Sequence, residues 1–127
     1  MKPKVLITRK ILPEALDYLK EHTDYEIGAT KRNLTKEEII KKIQGKEGLL
    51  SLLVDDIDKE VINSAPSLKI IANCAVGYNN IDISEAKKKG ILVTNTPGVL
   101  TETTADLTWA LIMAVARKIP QAYNYTR

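Results

Sequence analysis

Five short β-rich runs, each followed by a helical pattern, constrain this chain more than any other feature. They are KVLIT at Lys4 to Thr8, YEIG at Tyr25 to Gly28, GLLSLL at Gly48 to Leu53, KIIA at Lys69 to Ala72 and ILVT at Ile91 to Thr94. They recur roughly every twenty residues, the length of one strand, one helix and two short loops, so the chain reads as successive βα units. Helix signals fall between them. Pro13 occupies a first helical position, with Leu12, Leu16 and Leu19 on one face, and Thr35 with Glu38 forms a capping box ahead of Ile39, Ile40 and Ile43, closed by Gly45. Asp58 caps a short helix that Pro66 cannot continue, and Asp82 with Glu85 makes a second capping box, with Gly90 as its stop. The runs at Leu49 to Leu53 and Lys69 to Ala72 are apolar on both faces, the pattern of central parallel strands covered by helices on both sides. The expected fold is α/β: a flavodoxin-like, doubly wound, five-stranded parallel sheet in the order 2-1-3-4-5, with helices on both faces and a ligand crevice beyond the carboxyl ends of its strands.

With 127 residues and 44% hydrophobic content, the chain supports one domain with a real core, expected to span residues 1–127. A net charge of +3 is too diffuse for a nucleic-acid surface, because the densest basic run, Lys87 to Lys89, falls where a helix ends and complements its dipole. No apolar run is long enough to span a membrane, and no signal segment opens the chain. The single cysteine, Cys74, rules out an internal disulfide or thiolate metal centre and fits a cytoplasmic setting; its position in an apolar run reads as a small buried hydrophobe. His22, the only histidine, reads as a solvated helix-end residue, and no metal site is expected. The last helical pattern, about 101–118, carries LTWALIMAVA at Leu107 to Ala116, where only Thr108 is polar. Such a helix has no wet face at 3.6 residues per turn, so a homodimer through it, with the helix folded back or exchanged between chains, is expected.

The densest motif is IANCAVGYNNIDISEAKKKGILVTNTPGVLTETTAD, from Ile71 to Asp106: strand, glycine turn, capped helix, strand and second helix start. It closely resembles the D-2-hydroxyacid dehydrogenases, in particular the glyoxylate/hydroxypyruvate reductase branch. The resemblance implies that main-chain amides at Val76 and Gly77 hold a substrate carboxylate, that Leu53 helps wall the pocket against the carbon chain, and that Thr104 faces the cofactor. For Leu52 a core role is the better reading. Gly77 is also apt on its own chemistry, since a residue without Cβ tolerates positive φ and close ligand approach. Asn79 departs from the family, which more commonly has Asp there. Asp55 and Asp56 resemble paired catalytic acids, but neighbouring loop residues point apart and more often lead into a helix. Thr101 is a suitable N-cap, with Glu102 near the positive end of the dipole.

Two absences matter as much. The six glycines, at 28, 45, 48, 77, 90 and 98, never form Gly-x-Gly, so the pyrophosphate-cradling fingerprint is missing. The family's catalytic arginine, glutamate and histidine have no counterpart either, so no catalytic residue is assigned. The chain therefore resembles an isolated or engineered substrate-binding domain without its cofactor-binding domain. Such a chain is expected to be inactive by itself, to bind neither NADH nor NADPH, which the full-length family uses, and to take small carboxylates weakly. The alternatives are a receiver-like or flavodoxin-like binding domain of the same topology. A receiver needs acidic residues after strand one, where Arg9 and Lys10 stand, and a flavodoxin needs a hydroxyl- and glycine-rich loop there, where Arg9-Lys10-Ile11-Leu12-Pro13 has neither.

Overall fold

A computed structural model describes residues 1–127 as two compact units, Met1–Pro97 and Gly98–Arg127. The first holds all five strands: β1 (Lys4–Arg9), β2 (Asp24–Ala29), β3 (Gly48–Leu52), β4 (Ile70–Cys74) and β5 (Leu92–Thr94). Four helices alternate with them: α1 (Pro13–His22), α2 (Lys36–Lys42), α3 (Lys59–Asn63) and α4 (Ile83–Lys88). All strand pairs are parallel, and the order is β2-β1-β3-β4-β5, as the βα rhythm implies.

Register assigns the strand residues to two faces. Leu6 pairs with Leu49, Leu49 with Ile71 and Ile71 with Val93, so these four share a face. There they join Ile39 and Ile43 of the second βα unit, Val61 and Ile62 of α3, and Ala86 of α4 in one cluster. Leu6, Ile43, Val61, Ile62 and Ile71 are completely buried, each contributing about 1.5–3 kcal/mol relative to exposure. On the opposite face Ile7 and Leu16 of α1 are buried, but Ile70 and Leu92 remain 37% and 67% exposed. Ile11 and Ala15 meet Leu50, Ala72, Cys74 and Thr94 there around an open groove of about 250 Å³. Coverage of the two faces is therefore unequal, because α2, α3 and α4 pack on one and α1 on the other. Cys74 is exposed rather than buried, because it stands at the end of β4 on this less covered face.

The capping signals operate as sequence chemistry requires. Thr35 accepts the Glu38 N–H while the Glu38 carboxylate accepts the Thr35 N–H, the reciprocal pair of a capping box. Asp58 accepts from Glu60 and Val61 at the start of α3. Asp82 accepts from the Glu85 N–H, whereas the Glu85 carboxylate turns to Lys88, so only half of that box forms. Gly90, at φ +70°, ends α4 with its own N–H on Lys87 and the Ile91 N–H on Ala86, the Schellman pairing. Leu12, expected on the apolar face of α1, is 73% exposed, because it is the N-cap residue before Pro13 and lies outside the helical register.

Surface charges tie neighbouring elements of the first unit together. Lys36 reaches both Asp58 and Glu60 at 2.6 Å, and Glu26 of β2 accepts from Lys42 and Lys46. The two lysines hold the Glu26 carboxyl below its ordinary range. The Arg32 guanidinium and the Thr35 N–H lower Glu38 to about 2.

The second unit consists of α5 (Thr101–Ala116) and α6 (Ile119–Tyr125). Leu100 rather than Thr101 is the N-cap of α5, and no side chain caps it; Thr101 already lies within the helix. Lys118 adopts a left-handed conformation, φ 52°, and Pro120 follows in the first turn of α6, where its missing N–H costs nothing. The helix expected over about 101–118 is α5, ending at Ala116, and a further short helix, α6, follows beyond that span. No residue of α5 is buried, and Trp109, Ile112 and Met113 are 65%, 50% and 49% exposed.

Candidate functional site

Three loops meet at the carboxyl ends of β3, β4 and β5: Leu53–Ile57, Ala75–Ile81 and the start of the segment after Thr94. Backbone pairing holds the first two side by side. Ile57 and Ile81 form an isolated parallel bridge, the Ile57 N–H donates to the Asn80 carbonyl at 2.8 Å, and the Asp82 N–H donates to Ile57 at 3.0 Å.

The turn after β4 is fixed carbonyl by carbonyl. The Ala75 carbonyl accepts from the Thr96 N–H at 2.9 Å, Val76 from the Asn95 side-chain amide at 2.7 Å, and Gly77 from the Asn73 side-chain amide at 3.0 Å. Every peptide here is trans, so each N–H following a pinned carbonyl points the opposite way. Those are the N–H groups of Val76, Gly77 and Tyr78, and none of the three donates to a backbone or side-chain acceptor. Three successive main-chain donors are thus left without a protein acceptor, and backbone N–H groups of a turn are suited to hold an anion.

Beneath the loops lies a buried polar layer. Asp55, 2% exposed, accepts the Thr8 hydroxyl at 2.5 Å and the Leu52 N–H at 2.8 Å. Ser51 donates to the Asn73 oxygen at 2.9 Å. No buried side-chain polar atom lacks a partner, so the layer is fully satisfied and rigid enough to support a site.

Of the residues singled out from sequence, Leu53 lies in the first loop, 60% exposed, and Val76 and Gly77 in the second, with Val76 39% exposed. Both stand on the edge where the fold places ligands. Leu52 is half-buried at the end of β3. Gly77 does not have the positive φ that its side-chain-free backbone would allow; only Gly45, Gly90 and Gly98 do, and a Cβ at position 77 would meet nothing within 4 Å. Its fitness for the turn is therefore open space rather than conformational freedom. Asp55 and Asp56 do point apart, one buried and one exposed, but Asp55 is a structural acceptor and not merely a lead into α3. Thr104 belongs to the first turn of α5, its N–H on Leu100 and its carbonyl accepting the Thr108 hydroxyl. His22 ends α1 with its ring 4.8 Å from Tyr18. Asn73, Asn80 and Asn95 were not anticipated, although Asn73 at an inward-facing position of an apolar strand was a readable signal.

No three His, Cys, Asp or Glu side chains gather where they could hold one metal ion. A nicotinamide dinucleotide finds no pyrophosphate cradle either: Lys10 to Leu12, between β1 and α1, contains no glycine, and no Gly-x-Gly turn precedes any helix.

Residues 5–126 match the D-isomer specific 2-hydroxyacid dehydrogenase catalytic domain. The chain belongs to that family. It is 46% identical over all 127 residues to the glyoxylate reductase of Thermococcus kodakarensis and 49% identical to that of Korarchaeum cryptofilum. In each case the chain spans 38% of the length of the relative it matches. A Thermus thermophilus crystal structure superposes with a TM-score of 0.85 at 44% identity, covering 98% of this chain and 40% of that one. An NADPH-dependent glyoxylate/hydroxypyruvate reductase from Sinorhizobium meliloti, in complex with NADP and malonate, superposes at 0.74 with 32% identity, covering all of this chain and 38% of that one. Family membership displaces the receiver-like and flavodoxin-like alternatives.

Proposed function

We propose that this chain is the substrate-binding portion of an NAD(P)-dependent reductase of small 2-oxo acids, glyoxylate or hydroxypyruvate, and that it binds the substrate carboxylate at the Val76–Tyr78 turn. The observation that carries this reading is the set of three oriented, unengaged N–H groups at the carboxyl edge of β4. Leu53 supplies an apolar wall for the short carbon chain. Thr104 would face the cofactor of a complete enzyme and has no binding role in this chain alone. The relatives' names support the substrate class, and the malonate complex supports a carboxylate ligand. The chain takes neither NADH nor NADPH, since it builds no cradle for them.

Amide shifts in a titration with oxalate or glyoxylate test the reading. They should centre on Ala75 to Tyr78, with a Kd no tighter than about 1 mM, roughly −4 kcal/mol, because no arginine completes the clamp. If those amides stay still while others move, the site is misassigned. The 127-residue chain is inactive alone, because hydride transfer requires a nicotinamide held against the substrate carbon and a positioned acid-base. NADH oxidation with glyoxylate should equal the buffer blank, and turnover that scales with protein through repurification refutes this.

A cytoplasmic setting accords with the single free cysteine, and no helix is long and apolar enough to cross a membrane. Self-association through α5, with or without exchange of that helix, accords with its exposed Trp109, Ile112 and Met113.

A further inference from the structure

The Asn80 side-chain amide lies between the two loops that carry the proposed pocket. Its two N–H hydrogens face three acceptors, the Asp55 carbonyl at 3.0 Å, the Leu52 carbonyl at 3.1 Å and the Asn73 side-chain oxygen at 3.3 Å, so one hydrogen is shared between two of them. Its own oxygen accepts from the Asn73 amide at 3.0 Å, and that same amide holds the Gly77 carbonyl. A continuous path of hydrogen bonds thus runs from the backbone flanking Leu53, through Asn80 and Asn73, to the peptide that aims the Tyr78 N–H. Only a primary amide fits this place, since donors are needed toward carbonyls and an acceptor toward Asn73. An aspartate would set carboxylate oxygens against the Leu52 and Asp55 carbonyls.

We infer that Asn80, acting with Asn73, is a positioning residue: it locks the anion-binding turn to the Leu53 loop, so that carboxylate binding and the shape of the apolar wall are set together. This rests on the carboxylate reading of the turn for its functional meaning, but the clip itself is a separate claim. Asn79, the adjacent residue, is exposed and its side chain makes no hydrogen bond, so it serves as the control.

Hydrogen exchange on the ligand-free chain tests the clip. The amides of Asp55 and Ile57 report the first loop, and those of Ala75 and Ile81 the second, each having a backbone acceptor. Asn80→Ala should speed exchange about tenfold in both loops while Leu6 and Ile71 in the core hold their protection, and Asn79→Ala should change neither. A second arm titrates oxalate. In the unmodified chain the Leu53 amide should move together with Val76 to Tyr78; in Asn80→Ala the affinity should fall about tenfold and Leu53 should cease to respond. If Asn80→Ala does not fold, Asn73→Ser, which removes the same path at its other end, is read identically. Uniform loss of protection across the sheet, or loosening of one loop alone, overturns the inference. If oxalate leaves the turn unmoved in the unmodified chain, the carboxylate reading fails and the exchange arm still decides whether the clip exists.

Discussion

Replacing Gly77 by alanine separates the fold from the site. A Cβ at this position meets no protein atom within 4 Å, and its backbone is not at positive φ, so alanine fits without strain. A substitution of that kind stabilises by about 0.4–1 kcal/mol, because the unfolded chain loses freedom while the folded one loses nothing. The space the methyl enters is beside the Gly77 N–H, where the carboxylate must approach. Starting from a binding free energy of about −4 kcal/mol, loss of one donor's access should weaken oxalate about tenfold, or about 1.4 kcal/mol. Urea unfolding gives the first quantity and an amide titration the second. The expected outcome is an unchanged or slightly raised midpoint with oxalate binding pushed beyond about 10 mM. A stability loss greater than about 1 kcal/mol would mean the turn does need glycine's conformations. Unchanged oxalate affinity would remove the turn as the anion site.

Gly28→Ala should behave in the opposite way: its Cβ would lie 2.5 Å from Leu34 Cδ1 and 2.9 Å from the Thr8 carbonyl oxygen, so a loss of about 1–3 kcal/mol is expected in the same unfolding assay, and tolerance would refute the packing between β2 and β1. Glu38, lowered from 4.5 to about 2 in the folded chain, contributes stability that is complete above 4.5 and disappears as pH falls through about 2; Arg32→Ala should raise its NMR-measured pKa back toward 4.5, and an unmoved value would exclude the ion pair. Light scattering should give about twice the 14.1 kDa chain mass, shifted toward monomer or aggregate by Trp109→Glu with Met113→Glu; a stable monomer of the unmodified chain at high concentration would show that α5 needs no partner.

The fold was legible because its signals are local and redundant. The runs of β2, β3 and β4 are each followed by a capping side chain before the next helix, and Thr35, Asp58, Asp82 and Gly90 all act at the positions their chemistry dictates. Strand order followed from handedness and economy of connection, which need no knowledge of side-chain contacts. The errors share a cause, reading a pattern as if burial were uniform. Ile70, Leu92 and Cys74 belong to apolar runs but lie on the less covered sheet face, and only register reveals which face that is. The short helix α6 was not expected, because its start depends on one left-handed residue, Lys118, before Ile119-Pro120. At the candidate site, Val76, Gly77 and Leu53 are proposed through family resemblance. The asparagines that orient the turn were not legible, because their partners are 4 to 28 residues away and no sequence spacing marks such a network.

The strand order also determines how the sheet can be assembled while the chain is being made. β1 emerges first and ends at an inner position, flanked by β2 on one side and β3 on the other. β2 attaches to one edge of β1, β3 to its free edge, β4 to β3, and β5 to β4. Each new strand therefore finds its neighbour already synthesised, and no slot is left for a later strand to thread. Growth is by accretion at an open margin, and each addition brings the helix that precedes it in the chain, so α2 arrives with β3, α3 with β4 and α4 with β5. A ribosome releasing this sequence from the amino end thus delivers its parts in an order in which every intermediate sheet is a subset of the final one. Partial chains ending after β3 or β4 should carry native pairings and an exposed margin at their last strand, which makes that margin the point of vulnerability to misassembly during synthesis.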